Sequence, residues 1–413
     1  MISLLAGKPS PSTFPFESIT LKLKPQLYST AEQVVLTLEG RDLDEALQYG
    51  ATTGLPRFVK WLEGFQAHVH GRKAATENWS IAVGSGSQDL MYKTFKILVD
   101  DDDSVLVETP VYAGTLGFMK PSSCNLIEVP TDSQGLNAAV LQQILETWSI
   151  KHPDKKFPKV LYTIPTGRNP TGVSVTEERK IKILKLAKKY NFLIMEDDAY
   201  AFLYYGDKGK KARSYFSLEP EVNSEYGRVA RFDSFSKVLS SGMRLGVLSA
   251  SSAIVDAVNI VTSNTNLQCA STTQAMCSLL LEHWGFDGFL THCGRVADFY
   301  REKRDIFQSA ARRHLSDLAE WNTPVAGMFL YIQLLLAPGE PIADSFFVIR
   351  EIAVEKGVLA VPGVSFMPSR TKTAYVRISF SLIDEAQADE ACRRLKEVIV
   401  QVREDHAKAQ RNQ

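Results

Sequence analysis

Lys237 stands in the run Phe232-Asp-Ser-Phe-Ser-Lys237, and Arg244 follows seven residues later between Gly242 and Gly246. Ser234 and Ser236 add two hydroxyls to the same short stretch. A lysine amine attacks carbonyls once it loses its proton, and a nearby cation helps it do so. Hydroxyls and a guanidinium together suit a phosphate ester. The pattern is an anion site beside an amine, which fits a carbonyl cofactor that carries a phosphate. A polar loop with a surface lysine is the competing reading of Lys237 taken alone.

Other residues extend that chemistry. Asp197 and Tyr200 follow an apolar run, three residues apart. A carboxylate beside a pyridine nitrogen keeps it protonated, and the cationic ring then absorbs carbanion charge. A tyrosine hydroxyl can hold the phenolic oxygen of the same ring. Pyridoxal 5′-phosphate has all of these parts. Asp198 competes with Asp197 for the carboxylate role on sequence alone. Asn169 sits in Pro165-Thr-Gly-Arg-Asn-Pro-Thr-Gly172, where two prolines and two glycines fix the backbone and present one amide. A plain turn has the same composition. Tyr112, after Glu108-Thr-Pro110, can stack on a planar ligand or fill the core. Arg377 alternates with Val376, Ile378 and Phe380, so it points away from the core those residues form. There it is either an exposed edge charge or a fork matched to a carboxylate.

Strand and helix patterns must position these groups. Residues 81–88 read as a short strand, a Gly/Ser turn and a helix start, followed by a helical segment to Leu98. Further β-prone runs recur at 105–108, 126–129, 160–164, 192–195 and 229–232, with helical stretches such as 136–148 and 177–190 between most of them. Such alternation predicts a largely parallel sheet covered on both faces, an α/β fold with ligands at the carboxyl ends of its strands. Ser87 and Gln88 open one of those helices after Gly84-Ser-Gly86, and the unpartnered first amides of a helix cradle anions. No dinucleotide fingerprint completes that turn. A helix is also expected over 56–70. The lysines of 177–190 and the aspartates of 100–103 are expected to be solvated. Past about residue 285 the pattern changes to a long helix at 288–314, strands at 327–333 and 374–381, and helices near 342–355 and 384–402. This reads as a smaller α+β domain with a fraying tail from Arg403. The expected division is an N-terminal arm at 1–45, a large cofactor-binding domain at 46–290 and a small domain at 291–413.

Composition narrows the class. The chain has 413 residues, 45% of them hydrophobic, and no net formal charge. No basic excess points to nucleic acid, and no apolar run is long enough to span a bilayer. The five cysteines form no CxxC pair, as expected of free thiols in a reducing compartment. No metal-ligand motif is evident.

Taken together, the motifs resemble the fold-type I pyridoxal-phosphate enzymes of the class I/II aminotransferases. Within them the chain is most similar to kynurenine/2-aminoadipate aminotransferases and fungal aromatic aminotransferases. The resemblance runs from Ile2-Ser-Leu-Leu-Ala-Gly7 to the last helix. It rests on Ala46-Leu-Gln-Tyr49, Gly84-Ser-Gly-Ser-Gln88, Glu108-Thr-Pro-Val-Tyr112, Asn169-Pro-Thr-Gly172, Glu196-Asp-Asp-Ala-Tyr200, Asp233-Ser-Phe-Ser-Lys237, Arg244 and Arg377. It implies that Lys237 carries the cofactor as an aldimine and shuttles the proton between the substrate's Cα and the cofactor's C4′. Asp197, rather than Asp198, then pairs with the ring nitrogen. Tyr200 and Asn169 hold the phenolic oxygen, and Tyr112 stacks on the ring. Ser87, Gln88, Ser234, Ser236 and Arg244 take the phosphate, with Tyr49 arriving from the partner chain of a homodimer. Arg377 and Asn169 bind the substrate α-carboxylate, and Gly7 lines the substrate side.

The implied reaction is ping-pong amino transfer between an aromatic amino acid, kynurenine or 2-aminoadipate and 2-oxoglutarate. A lyase on the same cofactor and a non-catalytic ligand sensor are the alternatives. Enzymes of the resembled type carry roughly thirty more residues ahead of the Ile-Ser-Leu segment, a helix and loop that reach the partner's site. The expected compartment is the cytoplasm, or the mitochondrion if a targeting peptide preceded this start.

Overall fold

A computed structural model describes residues 7–25, 33–336 and 344–411. Ile2-Ser-Leu-Leu-Ala6 of the resemblance motif lies outside them. The strands are β1 (Ser18–Lys22), β2 (Val35–Glu39), β3 (Trp79–Gly84), β4 (Ser104–Thr109), β5 (Asn125–Asp132), β6 (Gly135–Leu136), β7 (Val160–Thr163), β8 (Leu193–Asp197), β9 (Val229–Ser234), β10 (Gly246–Ser251), β11 (Ala319–Trp321), β12 (Phe329–Leu334), β13 (Val361–Pro362) and β14 (Tyr375–Ser379). Eight of them, β3 to β10, form one mixed, mostly parallel sheet. Its inner strands are buried on both faces: every residue of β7, and all but the last of β4 and β9, is buried. That is why they read as unbroken apolar runs rather than alternating ones. The fold is α/β with a smaller α+β part, as expected from sequence.

Two compact units make up the chain. One contains the residues up to Val99, Ala187–Phe202 and Arg213–Arg295; the other contains Asp100–Leu186, Leu203–Ala212 and the residues from Val296 on. In the first unit β8 and β9 are parallel, while β10 runs antiparallel to both β9 and β3. Gly246 of β10 stands opposite Gly84 on one side and Ser234 on the other. The helices Pro56–His70 and Ser87–Leu98 stand where the sequence predicts them. In the second unit β4 pairs in parallel with β5 and β7. An antiparallel sheet in the order β11-β12-β14-β13 covers a separate core built on Leu330, Ile332, Val376, Phe380, Leu395 and Ile399.

Several expectations change. Residues 18–22 and 35–39 of the expected arm pair as an antiparallel ladder. The run 246–251, where no strand is expected from sequence, is a strand inside the sheet, between β3 and β9. The long helix extends back to Ser271, with a break at Gly285 (φ 62°, ψ −177°). Over its described residues the tail from Arg403 is helical: the helix Glu385–Arg411 continues through them, and Arg403 Nε donates to the Leu335 carbonyl at 2.6 Å. Lys180 and Asp103 were expected in solvent and are buried. Asp103 is held by the Asp100 amide at 2.7 Å and by the exposed Lys156 and the half-buried Lys159, so protein partners replace water around its carboxylate.

Candidate active site

The register of β3, β10 and β9 explains how the first unit gathers its phosphate-type groups. Gly246 lies between the ends of β3 and β9, so the helix start at Ser87 and the turn at Ser234–Lys237 flank it. A side chain on Gly246 would run into Ser87 N and the Gly86 backbone. One on Gly86 would run into the Arg244 guanidinium. Both positions need glycine for close approach. Arg244 itself takes a left-handed backbone (φ 51°, ψ 50°), which costs a residue with a Cβ roughly 1–2 kcal/mol. In that conformation its guanidinium donates to Ser236 Oγ at 3.2 Å, the Ser241 carbonyl at 3.1 Å and the Ser85 carbonyl at 3.4 Å. Ser87 and Gln88 occupy the first turn of a helix preceded by Gly86. Ser234 caps the lysine turn, its Oγ accepting from Ser236 N at 3.2 Å. One cation, three serines and a helix N-terminus thus surround one short loop.

Lys237 is half-buried, with Nζ 5.9 Å from the centre of the Tyr200 ring, and Tyr200 is buried. Asp197 is the last residue of β8, inside the strand rather than just past it, and is only 4% exposed. Asp198 has different work. Its carboxylate meets Arg231 Nη1 at 2.9 Å, and Glu196 approaches the same nitrogen at 3.4 Å. Asp233 takes Arg231 Nη2 at 2.6 Å and Nε at 3.0 Å, and also accepts from Gln66 at 2.8 Å. Burial works to strip the proton from Arg231, but the three carboxylates raise its pKa further than burial lowers it. Since Glu196 and Asp198 both turn to Arg231, strand alternation sends Asp197 to the opposite face.

The second unit holds the other candidates. Arg377 Nη1 donates to Asn169 Oδ1 at 3.0 Å, and the guanidinium lies 4.4 Å from the Phe329 ring centre and 5.1 Å from that of Phe366. Asn169 is buried and Arg377 half-buried. Val376 and Phe380 are fully buried in the small core, so the predicted orientation of Arg377 holds. Tyr112 precedes the helix Ala113–Met119, with its ring against Gly114. Beneath these residues Arg168 Nε pairs with Glu108 Oε2 at 2.9 Å, both about 2% exposed. Arg168 also donates to the Pro110 carbonyl, and Glu108 accepts from Thr163 Oγ1 and, at 2.6 Å, from the Ile164 amide. This buried pair ties the segment of Tyr112 to the segment of Asn169.

Tyr49 and Gly7 stand apart from these clusters. Tyr49 is 53% exposed, and among the described residues other than its chain neighbours none comes within 4 Å of where a Gly7 side chain would be. Sequence reasoning missed Arg231, Asp233, Gln66, Arg168 and Glu108. Arg231 left a trace, a charge inside an apolar β-prone run; Arg168 read only as a turn residue. Among the described residues no His/Cys/Asp/Glu group could hold a metal, and no helix is long and apolar enough to cross a membrane.

Comparison with known proteins identifies the family. The family model for aminotransferase class I and II matches residues 25–395. The chain is 50% identical over 397 residues to the aminotransferase tdiD of Emericella nidulans, covering 96% of this chain and 88% of that one. It is 38% identical over 410 residues to the mitochondrial kynurenine/alpha-aminoadipate aminotransferase of Mus musculus, covering 97% and 92%. Its fold matches the crystal structure of the aromatic aminotransferase Aro9 from C. albicans with a TM-score of 0.89 at 25% identity, covering 98% and 93%. The chain belongs to the class I and II aminotransferases, enzymes that exchange amino groups between amino acids and keto acids with pyridoxal 5′-phosphate as cofactor.

Proposed function

We propose that this aminotransferase moves an amino group between an aromatic amino acid, kynurenine or 2-aminoadipate and 2-oxoglutarate, in a ping-pong cycle. The observation that carries the reading is the Arg377–Asn169 pair. A half-buried guanidinium is braced by an amide and two aromatic rings, and a planar fork held this way suits the α-carboxylate common to all these substrates. The names of the relatives, kynurenine/alpha-aminoadipate and aromatic aminotransferases, support the choice of side chains.

Pyridoxal 5′-phosphate, when bound, supplies the electron sink for charge left at the substrate's Cα. The residues present fit it: a phosphate-type loop, a buried carboxylate and an amine lie within one unit. In this reading Ser87, Gln88, Ser234, Ser236 and Arg244 bind the phosphate, with Tyr49 supplied by a second copy of the chain in a homodimer. Asp197 keeps the ring nitrogen protonated. Tyr200 and Asn169 hold the phenolic oxygen, Tyr112 stacks on the ring, and Gly7 lines the substrate side. Lys237 Nζ takes the proton from the substrate's Cα. Residues 46–290 make the large domain, and 1–45 with 291–413 make the small one.

A panel of amino donors with 2-oxoglutarate tests the assignment. Kynurenine, aromatic amino acids or 2-aminoadipate should form glutamate fastest. Preference for aspartate, alanine or a branched aliphatic donor overturns it.

A further inference from the structure

Lys237 ends a single 3-10 turn, Phe235–Lys237, and that turn is held from several sides. Ser234 caps its start. Phe235 anchors it below, with ring centres 6.1 Å from Phe58 and 5.9 Å from Phe289. After the lysine, the amides of Val238 and Leu239 both donate back to the Phe235 carbonyl, at 3.3 Å and 2.9 Å. The carbonyl of Val238, the residue next to Lys237, meets His292 Nε2 at 2.6 Å.

His292 lies beyond the break at Gly285 in the helix Ser271–Leu315 and is buried. Its ring stacks on Trp284, with centres 4.9 Å apart and planes 25° from parallel. Burial is the main influence on the imidazole and lowers its pKa, against the Val238 contact that raises it. A carbonyl only accepts, so Nε2 must carry the proton of the neutral ring.

We propose that His292 is a positioning residue for Lys237, fixing through the Val238 carbonyl the backbone on which the amine meets the cofactor's aldehyde. The proposal rests on Lys237 being the amine that bonds pyridoxal 5′-phosphate. In that condensation a carbon–nitrogen double bond forms between Nζ and the aldehyde carbon, and the aldehyde oxygen leaves as water with both nitrogen-bound hydrogens of the neutral amine. The reaction needs the amine on one bearing, whereas in the proposed reading Ser87, Gln88 and Arg244 hold the phosphate from outside the turn. The histidine's effect should therefore be largest at the covalent step.

Two ligands separate the two contributions. Pyridoxal 5′-phosphate can bond the lysine; pyridoxamine 5′-phosphate fills the same site but has no aldehyde. Both are titrated into cofactor-stripped protein, the first by its visible absorbance band and the second by fluorescence quenching. His292→Phe keeps an aromatic ring and removes the donor. It should weaken pyridoxal 5′-phosphate about five- to tenfold, the equivalent of one hydrogen bond, and leave pyridoxamine 5′-phosphate within about twofold. His292→Gln, which restores an N–H, should recover at least half of the loss. Trp284→Leu, which removes the stacked ring but not the donor, should resemble His292→Gln. His292→Met replaces the Phe variant if that one does not fold. Equal weakening of both ligands, or no change in either, overturns the proposal. If the wild-type visible band survives in Lys237→Ala, the reading of Lys237 fails instead, whatever His292 does.

Discussion

Asp197 and Asp198 are adjacent carboxylates that face opposite ways. Asp198 is committed to Arg231, a fully buried guanidinium that shares three carboxylates. Asp197 closes the strand on the other face. Replacing each by asparagine should separate function from stability. Asp197→Asn should lower kcat/KM by about a hundredfold or more, the scale expected for a group stabilising transition-state charge. It should leave the urea midpoint nearly unchanged. Asp198→Asn should do the reverse, costing about 1–3 kcal/mol of unfolding free energy with a modest kinetic effect, since Arg231 keeps two of its partners. Kinetic losses of equal size in the two variants would contradict the division. Spacing alone left these neighbours unresolved, and only the family resemblance favoured Asp197, because the position of Arg231, a tertiary fact, is what separates them.

At the scale of elements, one strand does more for the site than any other. β10 brings Gly246 between β3 and β9 and so joins the helix start at Ser87 to the lysine turn. Gly246→Ala would push a methyl group into Ser87 N and the Gly86 backbone. It should weaken pyridoxal 5′-phosphate binding by about tenfold or more, an effect that equilibrium titration would read directly. The strand escaped detection because 246–251 follows the site motif at once and contains glycine, serines and alanine where the neighbouring strands carry bulky apolar residues. Strands β4, β7 and β9 were legible for the opposite reason, being buried on both faces. A second element contact sets a pH dependence. Asp132 at the end of β5 bonds Arg179 of the helix Glu177–Tyr190 at 2.6 Å and 2.8 Å. The Arg179 guanidinium holds the Asp132 carboxyl below the ordinary carboxylate range, with burial opposing it. The contribution is fully present above the ordinary aspartate pKa of about 3.9 and is lost as pH falls through the depressed value. Asp132→Asn should therefore be less stable than wild type near neutrality, with the gap in thermal midpoint closing below about pH 4. A gap that is constant with pH would contradict the pairing.

For the whole molecule, the α/β class and the smaller α+β part could be read from the chain, and the candidate site residues were named from its motifs. Motif residues sit at strand ends and loops, where their spacing survives in one dimension. Alternation alone oriented Arg377, because a strand with one buried face has only two sides. What stayed hidden were the buried supports: Arg168 with Glu108, the Arg231 cluster and His292. Apart from Asp233, two residues from Arg231, their partners are far away in sequence and meet only after folding. The account predicts that most of the machinery is set by these supports and that Lys237 alone carries the covalent and proton-transfer work. The most direct measurement is Lys237→Ala, followed by its visible spectrum with pyridoxal 5′-phosphate and its rate of glutamate formation from 2-oxoglutarate. The account predicts loss of the protein-bound band and a fall in rate of about a thousandfold or more; an unchanged band, or amino transfer near the wild-type rate, would contradict it.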